Sequence, residues 1–181
     1  GGVGLAAIQL AKALGGTVLA GIANPKKSDL VREAGADQII DLSRDDLKTS
    51  LRDQVFAVTD GCGADVVIDP LGDEVFEAAI RAVAWRGRMV VIGFAAGRIP
   101  SIKANYLLVK NIDVGGLQIS DYRRRRPDLT AKCFSQIFEL YEAGEIFPLP
   151  SETMSLKDFA TGLRKVKDRK VRGRIVLTQA S

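Results

Sequence analysis

Short apolar runs of strand length alternate with helical segments through most of the chain, and no other feature narrows the fold as far. Thr17 to Ile22, Gln38 to Ile40, Asp65 to Asp69, Arg88 to Gly93 and Ile112 to Leu117 read as strands. Between them the spacing predicts helices over Lys27 to Ala34, from Arg44 or Asp45 to Val58, over Asp73 to Ala84 and near Ala104 to Lys110. Gly15-Gly16, Gly35, Gly61-Cys62-Gly63 and Arg86-Gly87 punctuate the pattern as stops and turns. Strands that are apolar almost throughout have no side to give to water, so both faces must be covered, and helical crossovers between parallel strands do this. The expected fold is α/β, a doubly wound parallel sheet of Rossmann type.

The chain opens on Gly1-Gly2-Val3-Gly4, running directly into a helix of small and apolar residues that ends at Gly15-Gly16. A helix N-terminus presents unpaired N–H groups and the positive end of its dipole, so glycines there let an anion approach bare backbone. Gly1-x-x-Gly4 fits the tail of a dinucleotide fingerprint, but the strand and first glycine that should precede it are not in this sequence. By itself the cluster reads equally as a phosphate loop or as an ordinary helix start.

Composition removes several classes. A 181-residue chain with 46% hydrophobic residues can bury one core, and it has no uninterrupted apolar run of membrane-spanning length and no secretory leader pattern, so a cytoplasmic soluble protein without a membrane partner is expected. There is no histidine, and Cys62 and Cys133 stand far apart, so no zinc site of Cys and His ligands can be assembled. The net charge of +4 is scattered. Its one dense run, Arg123 to Arg126, has only Tyr122 beside it and reads as a solvated loop entering a helix, which argues against nucleic acid as a partner. That helix is expected from Asp128 to Ala143, with Leu129, Cys133, Ile137 and Leu140 in register and Gly144 closing it.

In a dinucleotide-binding sheet, the strand after the glycine helix ends at the adenosine ribose, and an NAD site places an acid there about 20 residues on. Here that position falls at Ile22 or Ala23, followed by Asn24, Lys26 and Lys27, which suit a 2′-phosphate that a carboxylate would repel. NADP is therefore expected over NAD, although two lysines at a helix start can also be plain solvated residues. Asp69-Pro70-Leu71-Gly72 and Gly93-Phe94-Ala95-Ala96-Gly97 follow two later strands, where a wound sheet holds its ligand. Phe94 fits a wall for a flat ring and equally a place in the core.

Taken in order, Gly1 to Ala11, Gly35-Ala36-Asp37, Gly63 to Gly72 and Gly93 to Pro100 resemble the medium-chain dehydrogenase/reductase superfamily, in its zinc-independent NADPH:quinone oxidoreductase branch. The resemblance spans essentially the whole chain. It implies that Gly1, Gly2, Val3 and Gly4 hold the pyrophosphate, Lys27 the 2′-phosphate, Ile92, Gly93, Phe94 and Ala95 the nicotinamide side, and Leu117, Gln118 and Ile119 further parts of the cofactor. It also implies a boundary, with residues 1–147 as the cofactor domain without its first strand, and 148–181 as a segment returning to an absent catalytic domain. Leu42 departs from the pattern, since related reductases often place an aromatic or histidine there.

The expected activity is NADPH-dependent transfer of hydride to a quinone or an activated enone, with this chain as the cofactor-binding portion and inactive alone. The cofactor carries such chemistry, so no general acid or base is assigned. An enoyl reductase acting on thioesters is the second reading, and a non-catalytic, truncated nucleotide-binding protein the third. A methyltransferase would want an acid where Ile22 stands. A homodimer through the strand Ile112 to Leu117 is expected, because a bare apolar edge strand needs a partner, unless the helix from Asp128 covers it.

Overall fold

A computed structural model describes residues 1–168 and 170–179. Helix α1 (Gly2–Ala13) leads to β1 (Leu19–Ile22), α2 (Ser28–Glu33), β2 (Gln38–Asp41), α3 (Leu47–Ala57), β3 (Ala64–Asp69), α4 (Asp73–Ala82), β4 (Val83–Val91), α5 (Asn105–Lys110) and β5 (Asp113–Gly116). After these come α6 (Ile119–Arg125), α7 (Pro127–Glu142), β6 (Ser151–Ser155), α8 (Phe159–Lys167) and β7 (Arg174–Thr178). Every strand pair is parallel.

The wound sheet is in two parts: β1 pairs with β2, and β3, β4 and β5 form a separate sheet in that order. In the wound order 3-2-1-4-5-6, β1 and β3 are the strands that flank the first. On β3, Val66 and Ile68 share one face and are 55% and 46% exposed, unusual for a strand so apolar.

Two cores lie on opposite sides of the strands, as winding in both directions requires. Leu5, Ile8, Leu30 and Val31 of α1 and α2 pack with Val18, Ala20 and Ala36. Leu51, Val55, Phe76 and Ile80 of α3 and α4 pack with Ile40, Met89 and Ile112. Phe76, Met89 and Val83 are fully buried, each contributing roughly 1.5–3 kcal/mol relative to an exposed side chain. Asp37, part of the motif that carries the family resemblance, serves the fold. Its carboxylate accepts from Val18 N and Lys12 Nζ, both at 2.7 Å, latching α1 to the start of β1. The Lys12 hydrogen bond, then that from Val18, holds the carboxyl below the ordinary aspartate range.

Several expectations need correction. The helix expected to reach Ala84 ends at Ala82, and β4 begins at Val83, so the Arg86-Gly87 turn lies inside a strand. Arg86 takes φ 62°, and the register slips between Ala64 opposite Val83 and Val66 opposite Arg88. A β-carbon on Gly87 would stand 2.8 Å from Val83 Cγ1 and 2.9 Å from Asp65 O, so glycine is what lets the kink close. The same strand stops at Val91, which leaves Ile92 and Gly93 in the following loop. Helix α3 starts at Leu47 rather than near Arg44, because Asp41 captures Ser43 N and Oγ in a tight turn and Asp46 sits at φ 47°.

The arginine run is not a loop either. Arg123 to Arg125 form the last turn of α6, where Arg124 and Arg125 pair with Asp121 at 2.6 and 2.8 Å, and Arg126 pairs with Asp128 at 2.9 Å. Strand β6 was not expected: Ser-Glu-Thr-Met-Ser has no apolar run, and it is a strand because β7 pairs with it from Ser151 opposite Arg174 to Ser155 opposite Thr178. Of the expected C-terminal segment 148–181, residues 169, 180 and 181 lie outside the described residues. Among the described residues, no helix is long and apolar enough to cross a membrane.

Candidate functional site

The first turn of α1 is open. A β-carbon on Gly1 or Gly4 would meet no heavy atom within 4 Å, so the N-terminal N–H groups are approachable over bare backbone. Gly2 is flanked by Leu149 and by the Arg174 guanidinium, whose Nε lies 4.0 Å from where its β-carbon would be. Val3 points outward. Lys27 lies near enough to act by its charge on the Gly1 end of α1. Two cations thus attend a helix N-terminus already carrying a partial positive charge, and nothing acidic stands in the first turn.

Beyond β1 the chain makes a short 3-10 turn at Pro25–Lys27, capped by Asn24, whose Oδ1 accepts from Lys26 N at 3.0 Å. That bond commits the Asn24 oxygen to the backbone and leaves its NH2 as the group able to donate. Lys26 is exposed and Lys27 half-buried. Leu42, the departure from the family pattern, packs on the bare face of Gly21: a β-carbon there would lie 3.1 Å from Leu42 Cδ1.

The two expected crevice loops are laced together. Ile92 N donates to Asp69 O at 2.9 Å, Ala95 N to Pro70 O at 3.0 Å, Ala96 N to Leu71 O at 3.0 Å, and Asp73 N to Arg98 O at 3.0 Å. Asp69 is 3% exposed, yet its carboxylate is satisfied by Leu71 N at 2.9 Å and Gly72 N at 3.1 Å, which folds the chain sharply into α4. Gly93 must be small, since a β-carbon would come 3.2 Å from Pro70 O. Phe94 is neither fully core nor free: its ring edge lies against Gly72, and 43% of the residue is exposed. Leu71 is half-buried, Ala95 exposed.

Leu117 N donates to Val91 O at 3.0 Å, extending the β4–β5 pairing by one residue and bringing Leu117 to the start of the loop after β4, with Gln118 and Ile119 next along the chain. All three are exposed, and Gln118 stands at the N-cap position of α6 without a side-chain capping bond. The structure therefore joins Leu71, Ile92 to Ala95 and Leu117 to Ile119 at the carboxyl ends of β3, β4 and β5, and gathers Gly1 to Gly4 with Lys27 at the mouth of α1. Sequence reasoning missed Arg174, which comes from the far end of the chain and reaches Gly2 only through the β6–β7 pair. It also missed Arg98, whose role emerges only when the loop is seen folded onto α4.

The profile of the family described as zinc-binding dehydrogenase matches residues 2–135. The chain belongs to that family. Within the medium-chain dehydrogenase/reductase superfamily it falls in the quinone oxidoreductase branch, and it corresponds to the Rossmann-like C-terminal part. It is 33% identical over 178 residues to the quinone oxidoreductase-like protein 2 homolog of Nematostella vectensis, covering 98% of this chain and 48% of that protein. Among solved structures, a quinone oxidoreductase from Pseudomonas syringae pv. tomato DC3000 is similar with TM-score 0.82 and 28% identity, over 98% of this chain and 53% of that one. A mycobacterial protein solved in complex with NADPH is similar with TM-score 0.85 and 25% identity, over 98% of this chain and 54% of that one. The chain spans about half the length of the curated relatives it matches.

The metal in the family's description does not fit these residues. The chain has no histidine, Cys62 and Cys133 are separate surface residues, and among the described residues no group of three His, Cys, Asp or Glu side chains converges. A dinucleotide does fit, with bare backbone at the helix N-terminus for its diphosphate, lysines beyond β1 for a phosphate on the ribose, and one partly exposed aromatic ring in the loop after β4 for a flat base.

Proposed function

We propose that this chain is the cofactor-holding part of an NADPH-dependent reductase that delivers hydride to a quinone or an activated enone. One observation carries the reading: the glycine turn of α1, bare at Gly1 and Gly4, with Arg174 beside Gly2 and Lys27 acting on the same end. Backbone N–H groups and the helix dipole favour a diphosphate there, and the guanidinium can take a phosphate oxygen by a charge-assisted hydrogen bond. Lys26 and Lys27 follow β1 where an NAD site would carry an acid, so the ribose end is suited to a 2′-phosphate. The NADPH complex of a neighbour with the same fold supports this choice of nucleotide. When bound, the dinucleotide supplies the hydride. This chain's residues then bind and orient it: Gly93 brings the backbone close, Phe94 offers a ring face, and Leu117 to Ile119 close the side nearest β5.

Titrating the intact protein with NADPH and NADH tests the reading. NADPH is expected to bind more tightly, and Lys27→Ala to weaken it by about 1.5–3 kcal/mol, the scale of a lost hydrogen bond to a charged group. Equal affinities for the two nucleotides, or a Lys27→Ala variant that loses nothing, would remove the 2′-phosphate assignment. Comparing quinone, enone and enoyl-thioester acceptors under steady-state turnover separates the quinone reading from the enoyl reductase one, and turnover with none of them would favour a nucleotide-binding protein without catalysis.

A further inference from the structure

The loop after β4 carries an arginine that binds it to α4. Arg98 Nε donates to Asp73 Oδ1 at 3.0 Å and Nη1 to Glu77 Oε1 at 2.7 Å, while the Arg98 carbonyl accepts from Asp73 N at 3.0 Å. Asp73 and Glu77 are four residues apart, on one face of the first turns of α4, so the guanidinium spans them. From the other side Lys48 of α3 reaches Glu77 at 2.8 Å, completing a row of alternating charges across loop, α4 and α3. Among the described residues, no other side chain in the stretch 92–104 hydrogen-bonds to the rest of the chain.

An isolated surface ion pair contributes little, because solvent screens it and long side chains lose freedom. Here the same residue pair is joined by side chain and by backbone, and what it orders is a loop. The Gly72 α-carbon is wedged between Phe94 and the Arg98 carbonyl: a β-carbon there would lie 3.0 Å from Phe94 Cδ1 and 3.1 Å from Arg98 O. Phe94 and the Arg98 carbonyl thus pack against the same glycine, and Gly97 N donates to Phe94 O at 3.0 Å, so a shift of Arg98 away from α4 reaches Phe94 through one short turn.

We infer that Arg98 is a positioning residue, latching the loop Ile92 to Arg98 onto α4 and so setting Phe94 and the Ile92 to Ala95 backbone for the nicotinamide end of the dinucleotide. This rests on the cofactor reading above. Its mark is selectivity along the ligand: loosening the latch harms binding of the nicotinamide half and leaves the adenosine half alone.

The test uses the intact protein, with NADPH and adenosine 2′,5′-bisphosphate as probes for wild type, Arg98→Ala, Arg98→Lys and Glu77→Gln, and with amide hydrogen exchange read across residues 92–98 without nucleotide. Arg98→Ala is expected to weaken NADPH about tenfold, the low end for a charge-assisted bond, to leave adenosine 2′,5′-bisphosphate within about twofold, and to speed exchange at Ala95 and Ala96. Arg98→Lys should recover part of the NADPH affinity, since an ammonium can still meet one carboxylate, and Glu77→Gln should fall between. Unchanged NADPH affinity with unchanged exchange would overturn the latch, and equal losses for both nucleotides would overturn its direction toward the nicotinamide. A wild-type protein that binds neither nucleotide refutes the cofactor reading and this role of Arg98 with it. Exchange in the same samples then reports separately whether the loop is latched.

Discussion

At Gly72 the backbone takes φ 69° and ψ −147°, a combination essentially reserved for glycine, and the space where a side chain would start is filled by Phe94 and the Arg98 carbonyl. Gly72→Ala is expected to cost about 1–3 kcal/mol in backbone strain alone, and to displace Phe94 as well. Chemical denaturation of the intact protein measures the first and NADPH titration the second; an alanine variant unchanged in both would show that the crevice tolerates the loop in another position. Arg174 makes a complementary case. Arg174→Ala is expected to weaken NADPH by at least tenfold if the guanidinium meets the diphosphate, on the scale of about 1.5–3 kcal/mol for a charged hydrogen bond, with Arg174→Lys intermediate. Isothermal titration at two salt concentrations checks it, and an affinity indifferent to the substitution would leave α1 as the sole anchor.

Among the elements, α3, α4 and the loop after β4 are tied by Lys48, Glu77, Arg98 and Asp73. The hydrogen bond from Lys48, then that from Arg98, holds the Glu77 carboxyl below the ordinary glutamate range, and Glu77 and Asp73 in turn raise the Arg98 guanidinium. A depressed carboxyl contributes stability that is fully present above its unfolded value, about 4.3 for glutamate, and that is lost as pH falls through the lower folded value. The thermal midpoints of wild type and Glu77→Gln should therefore differ by a constant amount near neutrality and converge on acidification below about pH 4. A difference that persists unchanged into acid would mean that the charge of Glu77 is not what joins the elements. Helix ends are legible where glycine stops them, as at Gly15, Gly35 and Gly144, whereas the side-chain turn of Asp41 that delays α3 to Leu47 is not. The boundary between α4 and β4 is not legible, because Val83 and Ala84 continue an apolar helical pattern while Val83 pairs with Ala64 of β3.

For the molecule as a whole, β5 is an edge, with β4 on one side and no strand on the other among the described residues. It carries Val114, Gly115 and Gly116 with no charge after Asp113, and Leu117 beyond its end is exposed. We propose that two copies pair there across a two-fold axis, which satisfies both edges with one surface. Analytical ultracentrifugation of the intact protein should show a dimer, and Val114→Pro, which removes a ladder donor, should shift it to monomer. A monomeric parent would refute the pairing, and a folded variant that stays dimeric would place the interface elsewhere.

Periodicity and punctuation in the sequence sufficed for the α/β class, the parallel strands and the order of most elements, because burial on both faces imposes continuous apolar runs. As candidates for a ligand site, the glycine turn, the lysines after β1 and the crevice loops are legible for a related reason: they lie at the ends of those elements, where a wound topology leaves room for ligands. Arg174 beside Gly2, Arg98 across α4 and strand β6 were decided only by tertiary structure. Each depends on chain segments distant in sequence meeting in space, or on a polar stretch recruited by its partner, and neither leaves a period in the sequence.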